Sequence, residues 1–412
     1  MKKVYLLGVM AFVLMLFAGC GQEEDETLKV CINDTNRWYM DTLVEGWQEI
    51  EGGSEVEIVE IPTDGESAEL KLSELRTEIM AGEGPDIFVL LCTPTRAVVS
   101  HADLFSDLEK AMKADMFLPL DEYISNAKYI DTSGWNQTVL EAGKTEEGQV
   151  VLPLYYDLPA YVFNSSDMPE QEIPDTWEEF ITTENPVLEN AMKGKTFIYF
   201  TYSFSKLADY QTAELTFSEE DLKNYLEEYL LFEDKINSQN EEGLSEPIAS
   251  GWVNGEFFPN TMGASEEEQT CVSIPSREGG VTAMVSTFAA VNKNTQKAEE
   301  AFSFLDFMLS DEVTSKRGFT KGEKLYATVV DLNMNMGGIT VNQKVFEERY
   351  CRNDKVSAAF ETLNDRIDSV RFYSELDRDL YDLHTQYRMS SEPDIDQLVK
   401  TTYETMKMRL AE

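Results

Sequence analysis

Histidine is almost missing from this chain: His101 and His384 are the two in 412 residues. That leaves little material for histidine-based nucleophilic catalysis or for zinc ligation. Basic residues are scarce as well, 34 Lys and Arg against 77 Asp and Glu, for a formal net charge of −43. Phosphate backbones are bound by clustered cations, so a chain with this charge balance is no nucleic-acid binder. Cysteine is sparse, and Cys31, Cys92, Cys271 and Cys351 lack metal-ligand spacing. They read either as buried small hydrophobes or, in an exported chain, as disulfide partners in any of three pairings. HExxH, GxSxG and CxxC are absent. Gly143-Lys144-Thr145 and Gly194-Lys195-Thr196 resemble the end of a phosphate loop, but Thr138 and Glu189 stand where its first glycine belongs. No uncharged run reaches the roughly 20 residues of a spanning helix.

What is present points to a folded, exported chain. Hydrophobic residues make up 42% and aromatics 11%, enough to fill cores, and the length suits two lobes rather than one. Met1-Lys2-Lys3 is a short positive region, Val4 to Phe17 is uncharged and apolar, and Ala18-Gly19-Cys20 closes the run with small residues. This pattern predicts a secretory signal over residues 1–19, excluded from the fold. The acidic stretch 21–27 after it reads as a solvated tether.

Further along, LKVCI (Leu28 to Ile32) predicts a buried strand. Met40, Leu43, Val44, Trp47 and Ile50 form a helical stripe that stops at Gly52-Gly53. Val56 to Ile61 predicts a second strand, and a helix from Glu66 to Met80 ends in Gly82 and Gly84-Pro85. Asp86 to Leu91 predicts a third strand. Uniformly apolar strands alternating with helices argue a parallel sheet covered on both faces, with ligands expected at the strands' carboxyl ends. Gly148 to Asn164 carries two prolines, Pro153 and Pro159, and reads as an extended crossover rather than one strand. Pro174 to Phe180 opens a helix with a capping box. Strands are expected at Cys271–Pro275 and Val285–Asn292, and helices at Ala298–Ser310, Ser374–Met389 and Ile395–Leu410.

Acidic pairs such as Glu178-Glu179, Glu219-Glu220 and Glu227-Glu228 invite a glycosidase reading, which needs two carboxylates across one bond. In so acidic a chain such pairs arise by chance, and most are solvated faces. A secreted carbohydrate-active enzyme using paired carboxylates therefore stands as the alternative, and a surface adhesin as a third reading.

Four stretches in order carry a resemblance. They are Leu75 to Phe88 (LRTEIMAGEGPDIF); Leu152 to Asp157 with Tyr161 to Asn164; Pro174 to Phe180; and Ala289 to Lys293 followed by Ala298 to Glu312. Together, behind Ala18-Gly19-Cys20, they resemble the bacterial extracellular solute-binding proteins of ABC importers, the family that includes maltose-binding protein. The cysteine resembles a lipobox, implying a lipid on Cys20 and a membrane anchor on the outer face. The resemblance implies an α/β, two-lobe periplasmic-binding-protein-like fold (type II). Its hinge would be crossing segments near 157–160, 283–287 and 331–336. Residues 28–157 plus 286–332 would form the N-terminal lobe, and 158–285 plus 333–412 the C-terminal lobe. A small solute, a carbohydrate or a non-sugar, would bind between them and pass to a permease. No enzyme activity, cofactor or metal is implied, and the chain would act as a monomer.

Residues carry over by position. The loop after the first strand nominates Asp34, Asn36, Trp38 and Tyr39, and the loop after the PD strand Thr93, Thr95 and Arg96. Asp157 falls where maltose-binding protein has a sugar-binding glutamate, beside Tyr155 and Tyr156. Tyr373 lies near a stacking aromatic of the relatives, and Trp252, Phe257, Arg277 and Phe288 come from cleft-facing segments. Each has a plainer reading: Trp38 and Tyr39 as first-turn packing, Phe288 as core, Arg96 and Arg277 as partners of the many acids. Relatives often carry a tryptophan after a glycine in the C-lobe loop, whereas Gly263 is followed by Ala264-Ser265, which leaves a small sugar or a non-sugar solute open.

Overall fold

The structure, a computed structural model, describes residues 27–411 except 63–64, 93–102, 169–172, 194–196, 239–248, 254–267, 316–317, 322–323, 328–337 and 352–353. Strands β1 (Leu28–Asn33), β2 (Val56–Ile61) and β3 (Ile87–Leu91) form where the apolar runs are, with β1 in the middle and parallel to both neighbours. Helix α1 (Arg37–Glu51) buries Tyr39, Met40, Leu43 and Trp47, the stripe visible in the sequence. It ends where Gly52 takes φ +74° and its N–H returns to the Gln48 carbonyl. Gly53 is required for a different reason: a Cβ there would meet the Trp47 ring at 2.4 Å.

Beyond β3 the sheet is mixed rather than parallel. Nine strands take part: β4 (Leu152–Asn164), β5 (Ala249–Val253), β6 (Gln269–Ser273), β7 (Val281–Val291), β8 (Ile339–Thr340) and β9 (Ile367–Phe372) join the first three. β7 runs antiparallel to β3 and to β4, and β9 is parallel to β7. The expectation of a crossover at 148–164 gives way to one unbroken strand of 13 residues, β4. It changes partners along its length. Leu152 to Asp157 pair with β7, and Ala160 to Asn164 pair with β6. Pro159 sits at that change, where a missing N–H costs the ladder least. β7 divides likewise: Thr287–Val291 pair with β3, and Val281–Val285 with β9.

Two apolar cores result. The first gathers Trp47, Phe88, Phe117, Leu152, Val285 and Phe304 among others. The second gathers Tyr161, Phe163, Trp177, Phe200, Tyr229 and Leu380. Residues 339–373, which the sequence reading placed in the second lobe, contribute Ile339, Phe346, Phe360 and Phe372 to the first core. They are drawn there because β8 pairs with the first half of β4 and β9 with β7. From Leu376 onward, helices α10 (Glu375–Met389) and α11 (Ile395–Ala411) pack into the second core. The crossing expected at 331–336 lies outside the described residues.

Two of the four resemblance stretches meet in space. The Asp86 carboxylate accepts from the Lys29 N–H at 2.8 Å and from the Thr295 hydroxyl. Asn292 donates to the carbonyls of Pro85 and Glu83 at 2.9 and 3.1 Å. The third stretch forms the expected cap: Thr176 and Glu179 make a capping box at the start of α4 (Trp177–Ile181). These motifs hold the frame together.

Candidate functional site

The carboxyl ends of β1, β3 and β9 converge on the waist where β4 and β7 pass from one core to the other. At the end of β1 the Asn33 side chain accepts from the Leu91 N–H at 2.9 Å, tying it to β3. Cys92 then donates its N–H to the Ser286 carbonyl at 2.8 Å and its thiol to the Tyr373 carbonyl at 3.4 Å. Leu91, Thr287 and Tyr155 form one row across the sheet, and Phe372, Val285 and Tyr156 the next.

On β4, Tyr155 and Asp157 share one face and Tyr156 has the other. Tyr156 is fully buried and donates its hydroxyl at 2.6 Å to Asn364, on the helix Asp354–Asp365. Asp157 is different. It is 8% exposed, and its side chain has no hydrogen bond or ion pair with any described residue. Burial alone pushes its carboxyl up to about 7. Its charged neighbourhood includes Tyr202, at the end of α5 (Phe197–Tyr202), whose hydroxyl is raised by burial first and by the nearby Asp157 among its smaller causes.

The turn after β1 holds further nominated residues. Asp34 and Asn36 lie in a single 3₁₀ turn leading into α1. Asn36 is wholly buried, and neither its amide nitrogen nor its amide oxygen has a partner. Tyr39, one turn on and 1% exposed, has an unpartnered hydroxyl. Burial raises the Tyr39 hydroxyl and the Tyr155 hydroxyl, each in electrostatic range of Arg349. Trp38 sets its ring edge-on to Tyr39 at 6.3 Å while remaining 45% exposed. So Tyr39 lies in electrostatic range of Tyr155, with Asn36 in the turn before it and Trp38 beside it, while Asp157 stands two residues along β4 from Tyr155.

Other nominated residues are placed differently. Tyr373 is buried at the seam, its carbonyl held by Cys92. Phe288 faces the core against Phe105, ring centroids 6.4 Å apart. The Arg277 guanidinium pairs with Glu228 at 2.6 Å and lies 4.0 Å over the Tyr225 ring, with Trp177 and Phe204 nearby. That cluster belongs to the second core. Trp252 has its backbone in β5 opposite Pro159, and its side chain lies outside what is described. Thr93, Thr95, Arg96, Phe257 and the Gly263–Ser265 segment also lie outside the described residues, as does Cys20.

Sequence reasoning missed the buried pair that closes the seam. Arg371, on β9, donates to Asp377 at 2.6 Å and to the Thr201 carbonyl at 2.8 Å. The available signal was Ser374-Glu375-Leu376-Asp377, a capping-box spacing at the start of α10, where Asp377 accepts from the Ser374 N–H at 2.9 Å. None of Cys31, Cys92, Cys271 and Cys351 is in a disulfide, and burial raises the thiols of Cys31 and Cys271 to about 12. A surface recess of about 300 Å³ beside Glu51, Tyr129 and Phe302 shares none of the waist residues. Among the described residues no group of acids, histidines and cysteines could hold a metal, and no helix is long and apolar enough to cross a membrane.

Two α/β cores joined by shared strands, with polar groups left over at the joint, define the class of two-lobed binding proteins. The chain belongs to the family of bacterial extracellular solute-binding proteins, whose family model matches residues 34–315. No curated protein sequence matches. Solved structures do. The sugar-binding protein MalE from Xanthomonas citri is 12% identical with a TM-score of 0.60, over 93% of this chain and 97% of that one. A periplasmic oligogalacturonide-binding protein from Yersinia enterocolitica is 13% identical with a TM-score of 0.57, over 93% and 99%. The Thermus thermophilus maltotriose-binding protein is 14% identical with a TM-score of 0.53, over 93% and 100%. At such identities the likeness establishes the two-lobe fold, which with the family is that of binding proteins of ABC transporters.

Proposed function

We propose that this chain captures a small solute, a carbohydrate, at the waist between its two cores and delivers it to the permease of an ABC importer. It does so outside the cell, held to the membrane by a lipid on Cys20. The observation that carries the reading is Asp157: a buried carboxylate with no partner among the described residues, on the strand that both cores share. A desolvated acid is costly unless something hydrogen-bonds it, and the hydroxyls of a sugar supply donors of the right kind. Asn36 and the Tyr39 hydroxyl, in the turn after β1 and the first turn of α1, offer further unfilled hydrogen bonds. Trp38 and Tyr155 offer ring faces, each ring contact contributing about 1 kcal/mol at roughly 25 cal/mol/Å².

Capture then works as a two-state closure. A ligand that touches both halves favours the closed arrangement by the difference between its affinities for the two states. The lobes divide where β4 and β7 change partners, at 157–160 and 283–287. Delivery follows when a permease recognises the closed form, and the ATPase is a separate chain.

The test is a thermal-shift screen of the full chain against sugars, amino acids, peptides and polyamines. Ligand at 100 times its dissociation constant adds about 2.7 kcal/mol and raises the melting temperature visibly. The expected result is a hit within one sugar class, with the sugar recovered chemically unchanged. A hydrolysed sugar would instead establish the carbohydrate-active enzyme. A hit confined to non-sugars would keep the binding fold and remove the carbohydrate.

A further inference from the structure

The surface recess beside Glu51, Tyr129 and Phe302 is built from the first core alone. Its aromatic residues, Tyr123, Tyr129 and Phe302, all pack in that core, and no residue of the waist takes part. Three elements wall it: the C-terminal end of α1, the helix Asp121–Ser125 with the segment after it, and the helix Ala298–Met308. Its volume of about 300 Å³ suits a small organic molecule. Asp306 lies in the wall but is spent, accepting from the N–H groups of Lys128, Tyr129 and Ile130 at 2.7, 2.9 and 2.7 Å.

One part of the recess already holds a cation, and it is the chain's own. Lys128 sets its ammonium 4.6 Å from the centroid of the Tyr129 ring and pairs with Glu51 at 2.7 Å, while the Tyr129 hydroxyl donates to Glu51 at 2.5 Å. An ammonium on a ring face with a carboxylate beside it is how organic cations are held. The same parts recur in the rest of the recess without the cation. Tyr123 and Phe302 set their rings 5.4 Å apart with planes inclined at 37°. Burial first, then Glu299 and Glu122, raises the Tyr123 hydroxyl, so both carboxylates lie in electrostatic range of that ring. Neither carboxylate has a hydrogen bond or ion pair with any described residue. An anionic ligand would meet like charge from Glu122 and Glu299. A bare metal ion would want several oxygen ligands and could make no use of the rings. An alkylated ammonium uses both parts.

We propose that this recess is a second binding site, for a small organic cation: a primary or methylated ammonium seated against Tyr123 and Phe302, with Glu122 and Glu299 supplying the countercharge. The site is separate from solute capture at the waist and does not depend on that reading. A chain of net charge −43 draws cations to its whole surface. The ring pair gives this one place its preference for an alkylated ammonium.

Titration of the full chain with choline, followed by saturation-transfer NMR on the choline methyl signal, tests it. Dimethylbutanol, the uncharged carbon isostere of choline, and sodium chloride serve as controls. The expected result is choline bound about tenfold or more tighter than the alcohol, and held against an equal concentration of sodium. Glu122→Gln/Glu299→Gln changes two exposed side chains and should weaken choline about fivefold or more. Tyr123→Leu removes a ring face while keeping an apolar side chain, and should weaken it about threefold or more. Phosphatidylcholine vesicles at equal headgroup concentration displace choline if a lipid headgroup is the source of the ammonium, and leave its signal if the free cation is. The alcohol binding as well as choline, or no choline binding at all, overturns the cation assignment. Choline binding unchanged in a folded Glu122→Gln/Glu299→Gln protein, or abolished by equal sodium, puts the cation elsewhere or in the diffuse charge of the surface and overturns the site.

Discussion

The two cores are pinned together at one buried ion pair, and its removal gives the sharpest test of the architecture. Arg371 leaves β9 with its side chain 4% exposed, and Asp377 receives it at the start of α10 with its side chain wholly buried. β9 is paired with β7, and α10 packs into the second core, so the pair bridges elements that share no ladder. In Arg371→Met the Asp377 carboxylate keeps only the Ser374 N–H and hydroxyl, and the Thr201 carbonyl loses its shorter bond and keeps the Phe204 N–H at 3.4 Å. Stranding one member of such a pair costs about 3–5 kcal/mol. Asp377→Leu strands the other member and should cost a similar amount. The double variant Arg371→Met/Asp377→Leu leaves no uncompensated charge, so its loss should fall well short of the sum, with a coupling of about 2 kcal/mol or more. Urea titrations of the three variants, followed by tryptophan fluorescence, measure all the terms. Single-variant losses below about 1 kcal/mol, or losses that simply add, would refute the assignment of the seam to this pair.

Three further outcomes are expected. Because the folded carboxyl of Asp157 sits at about 7, above its ordinary value of 3.8, the folded state holds this proton more tightly than the unfolded one. The associated stability is therefore complete below about pH 4 and is lost as pH rises through 7, at up to about 1.4 kcal/mol per pH unit. Melting temperatures of Asp157→Asn and wild type should diverge in favour of the variant from pH 4 to pH 8 without ligand, and parallel curves would contradict the burial argument. Asn292→Ala leaves the Pro85 and Glu83 carbonyls and the Asn294 N–H without their partner. It should destabilise by about 2–4 kcal/mol in urea titration while leaving ligand affinity of the folded protein unchanged. Cys20→Ser should release the chain from the membrane into the soluble fraction on cell fractionation, and retention on the membrane would dispose of the lipid anchor.

Much of the frame could be read locally, for a physical reason. β1, β2, α1 and the helix Gly65–Met80 are specified by their own periodicity and by glycines at their ends, and their observed bounds lie within a residue or so of the expected ones. The 13-residue strand β4 could not be read that way. Two prolines look like interruptions until it is seen that Pro159 falls where the strand exchanges β7 for β6. That exchange is a property of partners more than 100 residues away. Residues 339–373 pack with the first core for a similar reason, since only the pairing of β8 and β9 reveals where they belong. Among the nominated site residues, strand alternation already forbids Tyr156 and Asp157 from facing the same way. Choosing between them required knowing that Asn364 waits on the Tyr156 side. The Arg371–Asp377 pair was half visible as a capping-box spacing, but the arginine that completes it comes from a strand whose place in the sheet is long-range information.

Three of the four stretches that carry the family resemblance lie apart from the proposed ligand groups, and the fourth, Leu152 to Asp157, contains two of them, Tyr155 and Asp157. Asp86 and Asn292 tie β1, the loop before β3 and the end of β7 to one another, and Thr176 and Glu179 close a helix end. Such contacts define a frame that must be the same whatever is carried. The groups proposed for a ligand sit in the turn after β1, in the first turn of α1 and on β4. Asp157 has a further property: it occupies the last residue of β4 that pairs with β7 before Pro159 and the change of partner. On the capture reading proposed above, a hydroxyl drawn to this carboxylate would be held where the strand passes from one core to the other. A contact there would let a small solute, which can offer only a few hydrogen bonds, bias the arrangement of two much larger bodies.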